Sequence, residues 1–202
     1  MGAPLNTEMS AKALLRRELL AARRLLTDQD AERAAAVLAR HALALPEIGG
    51  ARTVAAYVSV GREPGTRALL DALRTQGVRV LLPVLLADND LDWALYEGPG
   101  GLAKAGRGLL EPVGERLGPD AVLDADAVLL PGLAVDARGM RLGRGGGSYD
   151  RVLARLTAAG ATPALVVLLY AAEVAARVPA EPHDFPVNAV VTPEGPRRFS
   201  AG

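Results

Sequence analysis

Six short, nearly unbroken apolar runs constrain this chain most: residues 53–60 (TVAAYVSV), 78–86, 91–97, 127–130, 163–170 and 189–192. A strand with one wet face alternates apolar with polar residues. Near-continuous apolarity is what a strand covered on both faces requires. Helical segments separate several of the runs. That alternation predicts an α/β fold, a mainly parallel sheet with helices on both faces. In such sheets ligands sit beyond the carboxyl ends of the strands. Loops leave those ends after Val60 (GREPGT), Leu130 (PGLAVD) and Tyr170, and a site is expected to draw on all three.

Two N-terminal helices are predicted ahead of the first run. Over residues 10–26, Leu14, Leu15, Leu19, Ala22, Leu25 and Leu26 recur at helical spacing, with Lys12, Arg16, Arg17, Arg23 and Arg24 off that stripe. Thr27 reads as the N-cap of a second helix, answered by Asp30 as in a capping box. That helix runs to about Leu45, where Pro46 and Gly49-Gly50 stop it. Both helices are expected to pack on one sheet face. Thr66 reads as the N-cap of a helix to Gln76, ended by Gly77. Residues 98–119, rich in Gly and Pro without a sustained period, read as a long surface excursion. Residues 136–139 read as a turn, and residues 143–147 as a glycine-rich loop leading into a helix from Ser148. A single domain over residues 1–202 is expected.

Composition excludes whole classes. Lys+Arg and Asp+Glu each number 23, which argues against nucleic-acid or membrane partners held by bulk charge. The absence of cysteine removes disulfides, thiolate nucleophiles and Cys-ligated metals. No apolar run approaches the roughly 20 residues that span a bilayer, and the N-terminus does not read as a signal peptide. A soluble cytoplasmic protein is therefore expected, monomeric and acting on small molecules. The histidines, His41 and His183, form no Ser–His–Asp or zinc pattern. His41 reads as a surface residue, and His183 as one that orders the loop at Asp184. Lys12 and Lys104 are the only lysines, so arginine is the default cation and its number signals nothing.

The strongest local feature is residues 141–151, RLGRGGGSYDR. Gly143, Gly145, Gly146 and Gly147 lead into a helix. Glycine permits positive φ and close approach of a ligand to the amides. Open N–H groups at a helix start form an anion site. Arg141, Arg144 and Arg151 add charged donors for phosphate or carboxylate. Asp150 adds a hard oxygen suited to Mg²⁺ beside phosphates. The alternative for these residues is a glycine hinge with solvated arginines. There is no GxxxxGK[ST], and GxGxxG is broken by Ser148 at its third glycine and comes late in the chain. A Rossmann oxidoreductase is thereby reduced to an alternative.

RLGRGGGSYDR closely resembles the RLGxGxGYYDR signature of the 5-formyltetrahydrofolate cyclo-ligase (methenyltetrahydrofolate synthetase) family. Residues 12–16 (KALLR) resemble that family's KxxLR, and residues 57–66 (YVSVGREPGT) its strand–loop segment with a central glutamate. Residues 130–136 (LPGLAVD) are similar to its PGLAFD stretch, and residues 182–184 (PHD) to its late HD element. The matches keep their order over nearly the whole chain. The resemblance implies a three-layer α/β/α sandwich that converts 5-formyltetrahydrofolate to 5,10-methenyltetrahydrofolate with ATP and Mg²⁺. Phosphoryl transfer to the formyl oxygen would give an iminium phosphate; the N10 amine then closes the ring and phosphate leaves. Such transfers rest on positioning and charge neutralisation.

The resemblance also implies residue roles. Lys12 and Arg16, one helical turn apart, would reach the ATP phosphates. Arg141, Gly143, Arg144, Gly145, Gly146, Gly147, Ser148 and Tyr149 would wrap the triphosphate, with Arg144 and Tyr149 as catalytic residues at the junction of the ligands. Val58, Glu63, Arg144 and Ser148 would contact the folate, Glu63 accepting from pterin N–H groups. Asp150 and Asp184 would hold Mg²⁺, directly or through water. On their own, Lys12 and Arg16 read as a solvated helix face and Asp150 as a cap. Glu63 reads as a loop glutamate paired with Arg62 or Arg67, and Tyr149 as packing on the sheet edge. Ser148 stands where the family commonly has a tyrosine, Asn188 at a usually acidic position, and Gly146 where some members have lysine. Trp93 is placed at the folate side, and Arg107 and Arg116 are candidates for a glutamate tail. A relative acting on another formyl or carboxyl substrate, which Ser148 motivates, is one alternative. A non-catalytic nucleotide- or RNA-binding module is another.

Overall fold

The computed structural model describes residues 4–182 and 184–199, with side chains from residue 11 onward. Helices α1 (Pro4–Arg24), α2 (Asp28–Leu43) and the single turn α3 (Pro46–Gly49) precede β1 (Thr53–Ala55). Then come α4 (Arg67–Thr75), β2 (Arg79–Leu85), β3 (Leu91–Leu95), β4 (Leu102–Lys104), β5 (Leu110–Pro112) and β6 (Ala127–Leu130). The chain continues through β7 (Ala134–Val135), β8 (Arg141–Leu142), α5 (Ser148–Ala158), β9 (Ala164–Leu168), β10 (Ala189–Thr192) and β11 (Gly195–Arg198).

The main sheet has seven strands in the order β11-β10-β9-β6-β1-β2-β3. Its five inner strands are parallel, and the outer two, β3 and β11, pair antiparallel at the edges. The inner strands are buried on both faces, as their apolar sequence predicts. Side chains alternate across the sheet. Val54, Leu82, Leu129, Val166 and Val191 pack with α2, α3 and α4 on one face. Ala55, Leu81, Val128, Val167 and Val190 pack with Val152, Leu153 and Leu156 of α5 on the other. This is the three-layer α/β/α sandwich.

The chain runs β1 to β2 in one direction and β6 to β9 to β10 in the other. The loops after β1 and β6 therefore diverge between adjacent strands. That switch point is where open α/β sheets leave a crevice.

Several local expectations change. The first strand stops at Ala55 rather than Val60. Thr66 Oγ1 donates to the Tyr57 carbonyl (2.8 Å) and accepts from the Ser59 amide (2.9 Å), while Glu63 accepts from the Val60 amide (2.9 Å). These bonds draw residues 57–60 out of the ladder, and the Thr66 side chain is spent there instead of capping α4. Residues 98–119 are no featureless excursion: β4 and β5 form a hairpin within them. Thr27 does cap α2, accepting from the Asp30 amide at 3.1 Å.

His41 is half-buried, its Nδ1 3.1 Å from the Thr192 carbonyl of β10. His183 lies outside the described residues. Trp93 is fully buried. It stands opposite Pro83 in the β2–β3 ladder, so it backs the crevice wall without reaching its surface. Asn188 stitches the sheet, its Oδ1 accepting from the Leu165 amide at 2.7 Å.

Helix α1 departs most. It does not share a sheet face with α2. It packs through Leu15, Leu19 and Leu20 on Leu133, Ala134, Leu142 and Val178, beside the β7–β8 ribbon. Leu14 (47% exposed) and Leu25 (85%) point outward, while Lys12 (8%) and Arg23 (3%) point in. The inward face is thus Lys12, Leu15, Arg16, Leu19, Leu20 and Arg23, and it is cationic as much as apolar.

The β7–β8 ribbon aims the glycine loop, and Asp136 holds the ribbon in place. Its buried carboxylate accepts from the amides of Arg138 (2.9 Å), Met140 (3.2 Å) and Val178 (3.0 Å) and from Arg138 Nη2 (2.7 Å). Burial pushes its pKa up, but Arg138 and the three amides outweigh that and hold it below the usual carboxylate range. Its contribution is therefore complete above the unfolded-chain value of 3.8 and disappears as pH falls through the lower folded value. Asp136→Asn should destabilise the fold by about 1–3 kcal/mol near neutral pH. Thermal melts of both proteins down to acid should show the gap closing.

Candidate functional site

Two cavities open at the carboxyl ends of the strands and share a wall. The smaller, about 250 Å³, is lined by Lys12, Arg16, Arg141, Leu142, Gly143, Gly145, Asp150, Leu153, Glu181, Asp184 and Phe185. The larger, about 340 Å³, is walled by Tyr57, Val58, Val60, Pro83, Leu85, Leu91, Leu109, Leu110, Pro131 and Tyr149. Glu63, Arg107, Glu111, Arg144 and Ser148 add polar groups to it. Arg141, Gly143, Gly145 and Asp150 face both. The first is polar and charged, with Lys12, Arg16 and Arg141 facing Asp150, Glu181 and Asp184; the second is apolar with a few placed polar groups, as small-molecule sites are.

The shared wall is the glycine loop. Gly145 (φ 91°) and Gly147 (φ 77°) hold left-handed backbone that other residues rarely adopt. Gly147 is the N-cap of α5, and no side chain caps that end. The first amides of the helix are left open toward the loop, with the helix's partial positive charge behind them. Arg16 Nε fixes the loop by donating to the Gly143 carbonyl at 2.8 Å.

Cations converge on the smaller cavity. Lys12 Nζ lies 2.9 Å from Asp184 Oδ2 and 3.1 Å from Glu181 Oε2. Burial pulls its pKa down, but Asp184 and Glu181 outweigh this and hold it above the usual lysine value, so the ammonium is charged. Arg141 donates from Nη1 to the Pro131 carbonyl at 2.8 Å, and its Nη2 lies 3.7 Å from Asp150. Its Nε is buried without a hydrogen-bond partner, a donor awaiting an acceptor. Burial lowers the Arg141 pKa and Asp150 raises it, burial prevailing. Lys12 and Arg16 are therefore not a solvated helix face.

In the larger cavity Glu63 is fixed at both oxygens. Oε2 accepts from the Val60 amide (2.9 Å), and Oε1 lies 3.1 Å from Arg144 Nε. Its partner is Arg144, not Arg62 or Arg67; Arg62 pairs with Asp28 across to α2. The Glu63 side chain is 9% exposed against 51% for Arg144, so the glutamate is set and the arginine is free to move. Burial pushes the phenols of Tyr57 and Tyr149 up, so both stay protonated donors.

The structure thus brings all the expected site residues around this pair of cavities. Arg107 also lines the larger one, whereas Arg116 turns away to the Pro112 carbonyl. Sequence reasoning missed Tyr57, which lines the larger cavity, and Glu181, which lines the smaller.

For a metal, the smaller cavity offers the carboxylates of Asp150, Glu181 and Asp184, the last two also ion-paired with Lys12. Among the described residues no group of three or more His, Cys, Asp or Glu forms a metal cage. That donor set fits Mg²⁺, which takes one or two carboxylates and fills its shell from substrate phosphates and water. No helix among the described residues is long and apolar enough to cross a membrane.

Comparison with known proteins identifies the family. The profile of the 5-formyltetrahydrofolate cyclo-ligase family matches residues 8–193. The 5-formyltetrahydrofolate cyclo-ligase of Mycolicibacterium smegmatis is 44% identical over 91% of this chain and 94% of its own. The Escherichia coli K12 enzyme of the same name is 31% identical over 85% and 94%. The solved structure of Aquifex aeolicus 5,10-methenyltetrahydrofolate synthetase superposes with a TM-score of 0.79 at 30% identity, covering 95% of this chain and 94% of that one.

The glycine loop supplies a matched test. A Cβ at Gly145 would press on Arg16 Cζ at 3.3 Å from a φ of 91°, whereas one at Gly146 meets nothing within 4 Å. Gly145→Ala should cost about 1–2 kcal/mol through its left-handed backbone. Gly146→Ala should be neutral or gain about 0.4–1 kcal/mol from the unfolded chain. Denaturant melts of the two variants compare them directly.

Proposed function

The chain belongs to the 5-formyltetrahydrofolate cyclo-ligase family, and from that premise we propose that it closes 5-formyltetrahydrofolate to 5,10-methenyltetrahydrofolate at the expense of ATP. The observation that carries the proposal is the meeting of two chemically unlike cavities at one anion-binding loop. The charged one, with three cations, open amides at the start of α5 and carboxylates for a counter-cation, suits a triphosphate with its metal. The apolar one, with a fixed carboxylate, suits a flat heterocycle with N–H donors.

Lys12, Arg16, Arg141 and the open amides at the start of α5 gather the phosphates. Glu63, held by the Val60 amide, accepts from the pterin N–H groups, while Val58 and the neighbouring apolar wall cover the ring. This sets the formyl oxygen against the glycine loop. The terminal phosphoryl group passes from ATP to that oxygen: the bond to ADP breaks, the oxygen–phosphorus bond forms, and an iminium phosphate results. The N10 amine attacks the activated carbon, its proton leaves, and phosphate departs with the former formyl oxygen.

Arg144 stands at the junction. It neutralises Glu63 when the site is empty and follows the developing charge on the transferred group when it is filled. The protonated Tyr149 phenol donates at the same junction. Ser148 leaves room where an aromatic wall is usual, and Tyr57 on the opposite side supplies a phenol ring. Asp150 and Asp184 would hold Mg²⁺, which supplies charge neutralisation between the outer phosphates. Soluble action in the cytoplasm fits substrates of this kind.

Purified protein should raise the near-ultraviolet absorbance of methenyltetrahydrofolate only when ATP and Mg²⁺ are both present. Absence of product, or product without ATP, would overturn the proposal. Arg144→Ala and Asp150→Ala should each lower turnover on the order of 10²-fold or more, as loss of a preorganised charge does. Their melting temperatures should stay near the parent's, because both side chains are about half exposed. Glu63→Gln should raise the KM for the folate well above any change in the KM for ATP.

A further inference from the structure

A buried ion pair outside both cavities ends on the loop that carries Glu63. Arg23 of α1 meets Glu173 through Nε to Oε1 (2.6 Å) and Nη2 to Oε2 (2.9 Å), and its Nη2 also donates to the Gly132 carbonyl (2.7 Å). Both residues are at least 96% buried. Glu173 Oε2 accepts from the Tyr170 amide at 2.9 Å, and the Arg23 guanidinium lies 5.8 Å from the centre of the Tyr170 ring. The Tyr170 hydroxyl then reaches the carbonyls of Arg62 (3.3 Å) and Glu63 (3.4 Å).

Neither Arg23 nor Glu173 nor Tyr170 lines either of the two cavities. An ion pair this deeply buried stabilises little by itself, since desolvation consumes most of its Coulombic gain. What it does here is hold Tyr170 twice, its main-chain amide on Glu173 and its ring beneath Arg23. That ring spends its only polar atom on the main chain of the 59–65 loop, which turns at Gly61 (φ 57°).

The Glu63 carboxylate is held by the Val60 amide and the half-exposed Arg144, and its own amide donates to the Val60 carbonyl at 3.1 Å. Tyr170 adds a contact to its main chain from outside the loop.

We propose that Tyr170 is a positioning residue for Glu63, fixed by the Arg23–Glu173 pair, and that it sets affinity for the folate without taking part in phosphoryl transfer. This rests on the reading that Glu63 binds the folate. It also makes α1 common to both ligands: Lys12 and Arg16 serve the phosphate cavity, and Arg23 steadies the loop at the other.

The test is a double-mutant cycle in the purified full chain with Tyr170→Phe, Glu63→Gln and the combination, reading KM for the folate, KM for ATP and kcat. Tyr170→Phe should raise the folate KM about fivefold, the value of one neutral hydrogen bond, with kcat and the ATP KM within about twofold. In the Glu63→Gln background the same change should add less than about twofold, because coupled residues are not additive. Tyr170→Phe keeps the ring that Arg23 faces, so the fold should persist, and a melting curve checks this. An equal effect in both backgrounds, a fall in kcat alone, or an unchanged folate KM would overturn the inference while leaving the Glu63 reading in place. An unchanged folate KM in Glu63→Gln alone would instead remove that reading, and this inference with it.

Discussion

A cation taken out of water must meet an oxygen, or its desolvation goes uncompensated. This rule decides where α1 lies. Its apolar contribution is small, three leucines against the β7–β8 ribbon and Val178. Its orientation is set by Lys12 on Asp184 and Glu181, Arg16 on the Gly143 carbonyl, and Arg23 on Glu173 and the Gly132 carbonyl. Those partners belong to the late loop, the glycine loop and the turns after β6 and β9. One helix therefore ties the late loop and the glycine loop, which line the smaller cavity, to the turns after β6 and β9, which do not.

The sheet supplies the other half of the geometry. Strand order reverses between β1 and β6, so the loops leaving them part and a crevice opens. Side chains that sit far apart in sequence, such as Val58, Glu63, Pro131 and Tyr149, meet there. The Glu63–Arg144 pair spans the crevice, from the loop after β1 to the glycine loop after β8.

Much of this was legible in the residues. Burial on both faces left six apolar runs that mark the main strands, and the glycine loop declared itself by composition. What stayed hidden was set by tertiary partners. The first strand is shortened by Thr66 and Glu63, whose bonds to residues 57–60 no local pattern announces. The edge strand β11 holds exposed Pro196, Arg197 and Arg198 and has no apolar signature. The inward face of α1 was misread because apolar spacing favoured Leu14 and Leu25, whereas two ion pairs and a bond to a main-chain carbonyl, 127–172 residues away, turn its cations inward. A hydrophobic period cannot report a helix that packs by charge. The residues that motif resemblance singled out all border the two cavities, whereas no local pattern announced the contacts of Tyr170 and Glu173, whose partners lie on α1 and the 59–65 loop.

Since a single loop closes both cavities, drift in it is pleiotropic. Gly143 and Gly145 line both cavities, so a change at either alters two walls at once, whereas Arg144, Gly146 and Gly147 face the larger cavity alone. Divergence toward a new substrate has more latitude at Leu109, Leu110 and Glu111, on the far bank of the larger cavity, which contribute nothing to the smaller. The hairpin that carries Leu110 and Glu111 can vary while the phosphate machinery is inherited intact.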